Sequence, residues 1–386
     1  MRLPFTALHV VQPGDGGVAR VVTDVVGAHV AQGMRVAVAC PPDTPLAAAV
    51  RARGAEVHVW RAGRDPGPAV PAESRRVAEL VDLVRPDLVH AHSAKAGLAT
   101  RIAVRGRVPT VYQPHAWSFE AVDGVTAALA RRWERWAARW TDRVICVSEA
   151  ERRRGERAGV RAPWTVVHNG VDVSRFGPFT AGADRAAARA VLLPGVPAAA
   201  PVVVCVGRLC RQKGQDVLLR AWDEVAARVP GARLVLVGDG PSADALRAAA
   251  PPSVVLTGVV ADALPWYRAA DLAVLPSRWE GMALAPLEAM ASGRPVVLTD
   301  VDGARESLPP GHAAHCLVRP GDPAALAAAL VRLLQRPILR QALGRQAHQH
   351  VLTRFDVRRA GAAIADVYRE VTAAPRHREL REPIAQ

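Results

Sequence analysis

The chain has 386 residues, with 50 Lys or Arg against 36 Asp or Glu, giving a formal net charge of +14. Half of the residues are hydrophobic, so large cores can form, and the length points to two domains rather than one ordinary core. No segment offers the ~20 uninterrupted apolar residues that span a bilayer, and the N-terminal MRLPFTALHVV has too short an apolar run and no small-residue cleavage site for a signal peptide.

The positive charge favours anionic partners, but Arg far outnumbers Lys and Ala, Val, Pro and Gly abound, a bias that would by itself make the surface Arg-heavy. No nucleic-acid motif or long basic stripe with interleaved aromatics is present, so nucleic acid is not expected as a partner. Cys40, Cys146, Cys205, Cys210 and Cys316 show neither metal-ligand spacing nor a disulfide pattern, and read as reduced thiols of a cytoplasmic protein.

Along the first half, FTALHVV, MRVAVAC, AEVHVW, DLVHAH, PTVYQPH, DRVICVS and WTVVHNG read as strands. Several are nearly all apolar, as strands covered on both faces are. Between them lie helical patterns such as GGVARVVTDVVGAHVAQG, where Val18, Val21, Val22, Val25 and Val26 form one stripe. The second half repeats the scheme with PVVVCVG, ARLVLVGDG, VVLTGVV, LAVLPS, PVVLTD and HCLVRPG. This alternation predicts two α/β domains, each a doubly wound parallel sheet, facing across a cleft. The expected units are 1–176, a Pro/Gly/Ala linker at 177–200, a second domain at 201–355, and a terminal helix with a frayed tail at 356–386.

Open sheets of this class bind ligands at the carboxyl ends of their strands. Four strand-to-helix loops carry the chemistry. In QPGDGGVARVV, Gly16 and Gly17 let backbone N–H groups approach an anion at a helix N-terminus; an ordinary tight turn explains them equally well. In VGRLCRQKGQDVLL, Arg208 and Lys213 follow a buried strand and suit a diphosphate. In VGDGPSADAL, Gly238, Gly240 and Ala243 fit the dinucleotide fingerprint, an unspecific match by itself; the expected acid would be Asp262, in a loop rather than at a strand end, and donor binding through a nucleotide diphosphate at Gly238 and Gly240 is as good a reading as a redox cofactor. In SRWEGMALAPLEAMASGRPVV, Glu280 precedes a helix starting near Ala283, and Glu288 lies inside it. Two hydroxyl acceptors ~10 Å apart would thus flank the free N–H groups near Gly281, Met282 and Ala283. A sugar nucleotide fits that shape.

Together these loops resemble the family-4 retaining glycosyltransferases of the GT-B fold. GRLCRQKGQDVLL, VGDGP and EGMALAPLEAMASGRPVV carry the likeness most specifically, and HNGVD falls where the family's first domain ends. The resemblance implies that the terminal helices pack back on the N-terminal domain. It implies that Glu280 binds donor-sugar hydroxyls, that Glu288 binds the ribose, and that Arg208 and Lys213 neutralise the diphosphate, helped by backbone at Gly16, Gly17, Met282, Ala283 and Leu284. His115, in YQPHAWSF, would sit near the sugar and accept from its O6. The implied chemistry is transfer with retention by same-face displacement, without a metal, from a nucleoside-diphosphate sugar, UDP-linked by preference. The acceptor would be a glycan, lipid-linked or small-molecule hydroxyl. EGMAL stands where EGFGL is commoner, and Ala116 where Gly is frequent, which bears on donor identity.

Two rival enzyme classes remain at this stage: a GT-B sugar-nucleotide epimerase or phosphorylase, and a nicotinamide-dependent oxidoreductase. The latter leaves Arg208, Lys213 and the two glutamates unexplained. ALARRWERWAARWTD adds Trp133, Trp136 and Trp140 with an arginine rim. Such a helix suits an anionic membrane surface at the inner face, but its regular crossover position favours packing on the sheet.

Overall fold

In the computed structural model, residues 4–176 and 183–374 are described. The first sheet contains β1 (Thr6–Val11), β2 (Arg35–Cys40), β3 (Glu56–Val59), β4 (Leu88–His92), β5 (Thr110–Gln113), β6 (Arg143–Cys146) and β7 (Trp164–Val166). Their spatial order is β3-β2-β1-β4-β5-β6-β7, all parallel. The second holds β8 (Val202–Val206), β9 (Arg233–Val237), β10 (Val254–Gly258), β11 (Leu272–Leu275), β12 (Val296–Thr299) and β13 (Leu317–Val318), in the order β10-β9-β8-β11-β12-β13. All thirteen apolar runs predicted as strands are strands, and the central ones are buried along nearly their whole length, as helices on both faces require.

Of the stretch read as a linker, 177–182 lies outside the described residues, and the remainder is more ordered than its composition suggested. A helix occupies Ala183–Leu192, and its Arg189 is buried, donating to Asp271 at 2.6 Å and to the carbonyl of Ala269 at 2.7 Å. Grouping Ala with Pro and Gly hid this, since Ala is the strongest helix former. The tail read as frayed lies outside the described residues from 375 onward.

The last helix, Val357–Ala373, crosses to the N-terminal domain as expected. It passes so close to the helix Gly16–Ala31 that a Cβ on Gly361 would come within 2.5 Å of the Ala28 Cβ. His29 reaches the Gly361 carbonyl at 3.2 Å, and Tyr368 meets His90 at 2.6 Å. The two domains are also tied at their facing loops. Glu306 accepts from the amides of Glu149 and Ala150, at 2.8 and 2.9 Å, at the N-terminus of the helix Glu149–Arg157, where a carboxylate is favoured. His168 joins Glu306 at 3.0 Å, and Arg154 forks onto Asp302.

Candidate active site

The site is assembled where the carboxyl edges of the two sheets meet. After β8 the chain makes a short turn at Arg211–Lys213 and enters the helix Gln215–Arg228 through Gly214, whose φ is 69°. A Cβ there would lie 2.1 Å from the Pro276 carbonyl, so only glycine lets this turn press against the loop after β11. That approach brings the Lys213 ammonium to 2.6 Å from the Glu280 carboxylate. The Ser277 hydroxyl donates to the same oxygen at 2.6 Å. Glu280 is buried, and a buried carboxylate requires such compensation. Sequence reading had given Lys213 to the diphosphate alone; the structure couples it first to Glu280. Ser277 was missed, although it stands three residues from Glu280 in the quoted motif.

Arg208 lies half-buried in the same loop, and its side chain makes no ion pair among the described residues. The loop is fixed from behind by Gly238 and Gly240. Cβ atoms there would meet the carbonyls of Gly207 at 2.2 Å and Leu209 at 2.4 Å. These glycines therefore serve close packing of the Arg208 loop, which was not apparent from the fingerprint spacing. Asp262, the acid a dinucleotide site would need, is instead held by Arg175 at 3.0 Å and caps the turn at Leu264.

The helix following Glu280 runs Leu284–Ala291, with Ala283 at its N-cap and no acid in its first turn. Glu288 meets the Tyr267 hydroxyl at 3.2 Å. Burial raises its pKa, and the charge of Arg20 opposes that rise. Arg20 belongs to the first helix of the other domain, whose N-terminus carries Gly16 and Gly17. A Cβ at either glycine would meet nothing within 4 Å, so open space lies beside that helix end.

His115 follows β5 in a left-handed conformation, φ 61°. Its carbonyl abuts Gly281, where a Cβ would sit 2.7 Å away. This contact sets His115 beside the loop that carries Glu280. Ser148 donates to the Gly281 carbonyl at 3.0 Å and Asn169 to that of Met282 at 2.8 Å. Asn169 is the Asn of HNGVD, a motif noticed in the sequence without a role for this residue. Glu120, also missed, lies near this junction beside Arg154, at 2.8 Å; burial pushes its carboxyl up to about 7. Three more histidines, His9, His90 and His92, are buried beneath His115 and cluster closely enough to suggest a metal-ligand set.

On the outer flank, the helix Gly124–Ala137 departs from the packing expectation. Trp133 and Trp140 are half-buried, but Trp136 is 43% exposed, and Leu129 and Val125 are exposed about two and three turns before it.

Two facing α/β sheets, joined across a cleft by a basic loop, a buried acid and an open helix end, define a nucleotide-sugar-dependent transferase of the GT-B class. Residues 15–175 match Glycosyltransferase Family 4, and residues 200–336 match Glycosyl transferases group 1. The chain is 34% identical over 258 residues to the lipopolysaccharide core biosynthesis mannosyltransferase LpcC of Rhizobium leguminosarum bv. viciae, covering 63% of this chain and 69% of that one. It is 35% identical over 315 residues to the D-inositol 3-phosphate glycosyltransferase of Saccharomonospora viridis, covering 75% and 71%. The Anabaena protein HepE, solved in complex with UDP-glucose, superposes with a TM-score of 0.81 at 26% identity over 95% of this chain and 99% of that one. The chain belongs to glycosyltransferase family 4, and it is a glycosyltransferase that uses sugar-nucleotide donors. No helix among the described residues is long and apolar enough to cross a membrane.

Proposed function

We propose that the enzyme transfers a hexose from a UDP-sugar to a hydroxyl of a glycan or lipid-linked acceptor, with retention of configuration and without a metal. The observation that carries this reading is the Lys213–Glu280–Ser277 cluster, held against His115 of the opposite domain. An ammonium has three protons. One meets Glu280, and the others remain for diphosphate oxygens beside Arg208. Glu280 uses its second oxygen to take a sugar hydroxyl, and Glu288 takes the ribose. The acceptor hydroxyl attacks on the face the diphosphate leaves, and a departing phosphate oxygen receives its proton. Lys213, Arg208 and the N–H groups at the Leu284–Ala291 helix start stabilise the negative charge that develops. That set of fixed positive groups can stand in for a divalent cation. UDP is favoured because HepE, similar along nearly the whole chain, was solved with UDP-glucose.

A panel of UDP-, GDP- and ADP-sugars, scored for slow hydrolysis in EDTA, tests this, with the product anomer read by proton NMR. Retention with one nucleotide preferred is expected. Inversion, or a strict divalent-metal requirement, would reject the mechanism, and sugar-nucleotide turnover to an epimer would favour the rival class.

We further propose that the enzyme works at the cytoplasmic face of an anionic membrane. Val125, Leu129 and Trp136 are 77%, 60% and 43% exposed and share one helical face. Arg139 stacks on Trp136 and Arg105 on Trp140, while the helix's only acid, Glu134, is buried against Arg101. Apolar anchors with a basic rim suit that surface. Flotation with phosphatidylglycerol vesicles, lost in Leu129→Glu/Trp136→Glu, is expected; equal recovery of both proteins would reject it.

A further inference from the structure

Two buried imidazoles and a part-buried one lie in a line at the site. His9, in the middle of β1, places Nδ1 3.0 Å from Nε2 of His92, the last residue of β4. His92 places its Nδ1 3.1 Å from Nε2 of His115. The His9 and His92 rings are inclined by only 9° with centres 5.2 Å apart, and those of His92 and His115 by 23° at 5.4 Å. Those centre spacings equal the N···N distance plus one ring radius on each side, so the rings meet edge to edge in nearly one plane, as N–H···N hydrogen bonds require.

A neutral imidazole has one N–H and one bare nitrogen. Both nitrogens of His92 are engaged. If the ring is neutral it must accept on one side and donate on the other, so the two hydrogen bonds share one direction. Burial keeps His9 and His92 far below their ordinary pKa, so neutral rings are the relevant species. His9 Nε2 has no partner among the described residues and is inaccessible to solvent. Were the protons directed inward, that nitrogen would be a buried orphan N–H. Directed outward, it is only an unused lone pair, the less costly defect.

We propose that His9 and His92 are positioning residues that hold His115 with its proton on Nδ1, as a hydrogen-bond donor toward the sugar site. This rests on the reading that the donor sugar lies beside His115. It reverses the direction suggested by the sequence resemblance: a sugar oxygen, O6 by position, accepts from His115 rather than donating to it. It also gives His9 and His92, two of the three clustered histidines, a role that needs no ion, because a metal on His92 would break the line.

Imidazole tautomers are read directly by long-range proton–nitrogen NMR on the full-length 15N-labelled protein, with His115 assigned by its loss in His115→Ala. Nδ1 protonation of His115 is expected in the wild type. His9→Asn places an amide N–H where His9 Nδ1–H was, and should preserve that tautomer. His9→Leu removes the donor, and should yield a mixture. With UDP-glucose as probe, His9→Leu should lower the hydrolytic kcat about tenfold with KM changed less than about twofold, and His9→Asn should recover most of the loss. A wild-type His115 protonated on Nε2, an unchanged tautomer in His9→Leu, or stoichiometric zinc in the purified protein would each overturn the proposal. If His9→Leu fails to fold, the wild-type and His9→Asn tautomers still decide it. If UDP-glucose is not turned over at all, the spectra judge the line separately from the assigned function.

Discussion

Acidification from pH 7 to 5 should destabilise the fold by a calculable amount. His9, His29, His90 and His92 are fully buried, and burial lowers all four; His9 falls to about 3 and His29 to about 4. They stay uncharged when folded, but each titrates near 6.5 once unfolded, so the unfolded chain binds more protons as the pH falls. Across this window the four together cost about 7 kcal/mol. Two carboxylates act oppositely. Burial raises Glu151 to about 8 and Glu120 to about 7, so the native state is relieved as they take up protons. Their relief is about 4–5 kcal/mol over the same range. His115, lowered by burial to about 3, adds about 2 kcal/mol of loss, so the net is a loss of about 5 kcal/mol, a large share of a typical margin of ~5–15 kcal/mol. Urea unfolding at pH 7, 6 and 5, followed by the fluorescence of buried Trp60, Trp117 and Trp222, measures it. Stability that is flat or rises toward pH 5 would refute the assignment of neutral, unprotonated histidines to the native core.

Glu280→Gln should abolish transfer while leaving UDP affinity within about twofold. Glu288→Ala should weaken UDP by about tenfold, as loss of one buried acceptor would. Calorimetric titration of both variants checks this, and equal losses would contradict the division of labour. Gly281→Ala forces a methyl to 2.7 Å from the His115 carbonyl and 2.8 Å from a Val147 methyl. It should cost about 1–3 kcal/mol of stability and reduce kcat, and unchanged kinetics with an unchanged melting temperature would show that the two loops do not meet. Glu306→Ala leaves the amides of Glu149 and Ala150 and the His168 ring without their shared acceptor. It should cost about 2–3 kcal/mol in urea unfolding, and a change under half that would mean water replaces the clamp.

The sheets were legible because buried parallel strands leave continuous apolar runs, and every such run became a strand. The basic loop and the glutamate pair were legible because charged residues between buried elements need a reason. What escaped was anything that depends on a partner distant in sequence. Ser148 and Gly281 are 133 residues apart, and Asn169 and Met282 are 113 apart. Nothing local in HNGVD tells that its Asn side chain ends on the donor loop. Nothing local marks His9 and His92 as partners, since β1 and β4 are adjacent in space but 83 residues apart at that contact. For Gly238 and Gly240 a distant contact adds a second reason to a local pattern. Their spacing fits a phosphate loop, and each is also required by a backbone behind it.

These distant contacts orient the donor loop. In a planar trans peptide the carbonyl and the next N–H point in opposite directions. Ser148 and Asn169, both from the N-terminal domain, capture the carbonyls of Gly281 and Met282. The N–H groups of Met282 and Ala283 are thereby turned away from those two side chains. The N-terminal domain thus orients backbone donors of the C-terminal domain through the carbonyls beside them. This gives a physical reason for two domains to share one site: separating them would leave Glu280 and Lys213 paired, since both lie on the C-terminal domain, but would release the amides and His115 together. On the proposed function, domain closure would then govern stabilisation of the leaving diphosphate and contact with the sugar as a single event, while Glu280, the acid proposed to grip the hexose, stays preformed.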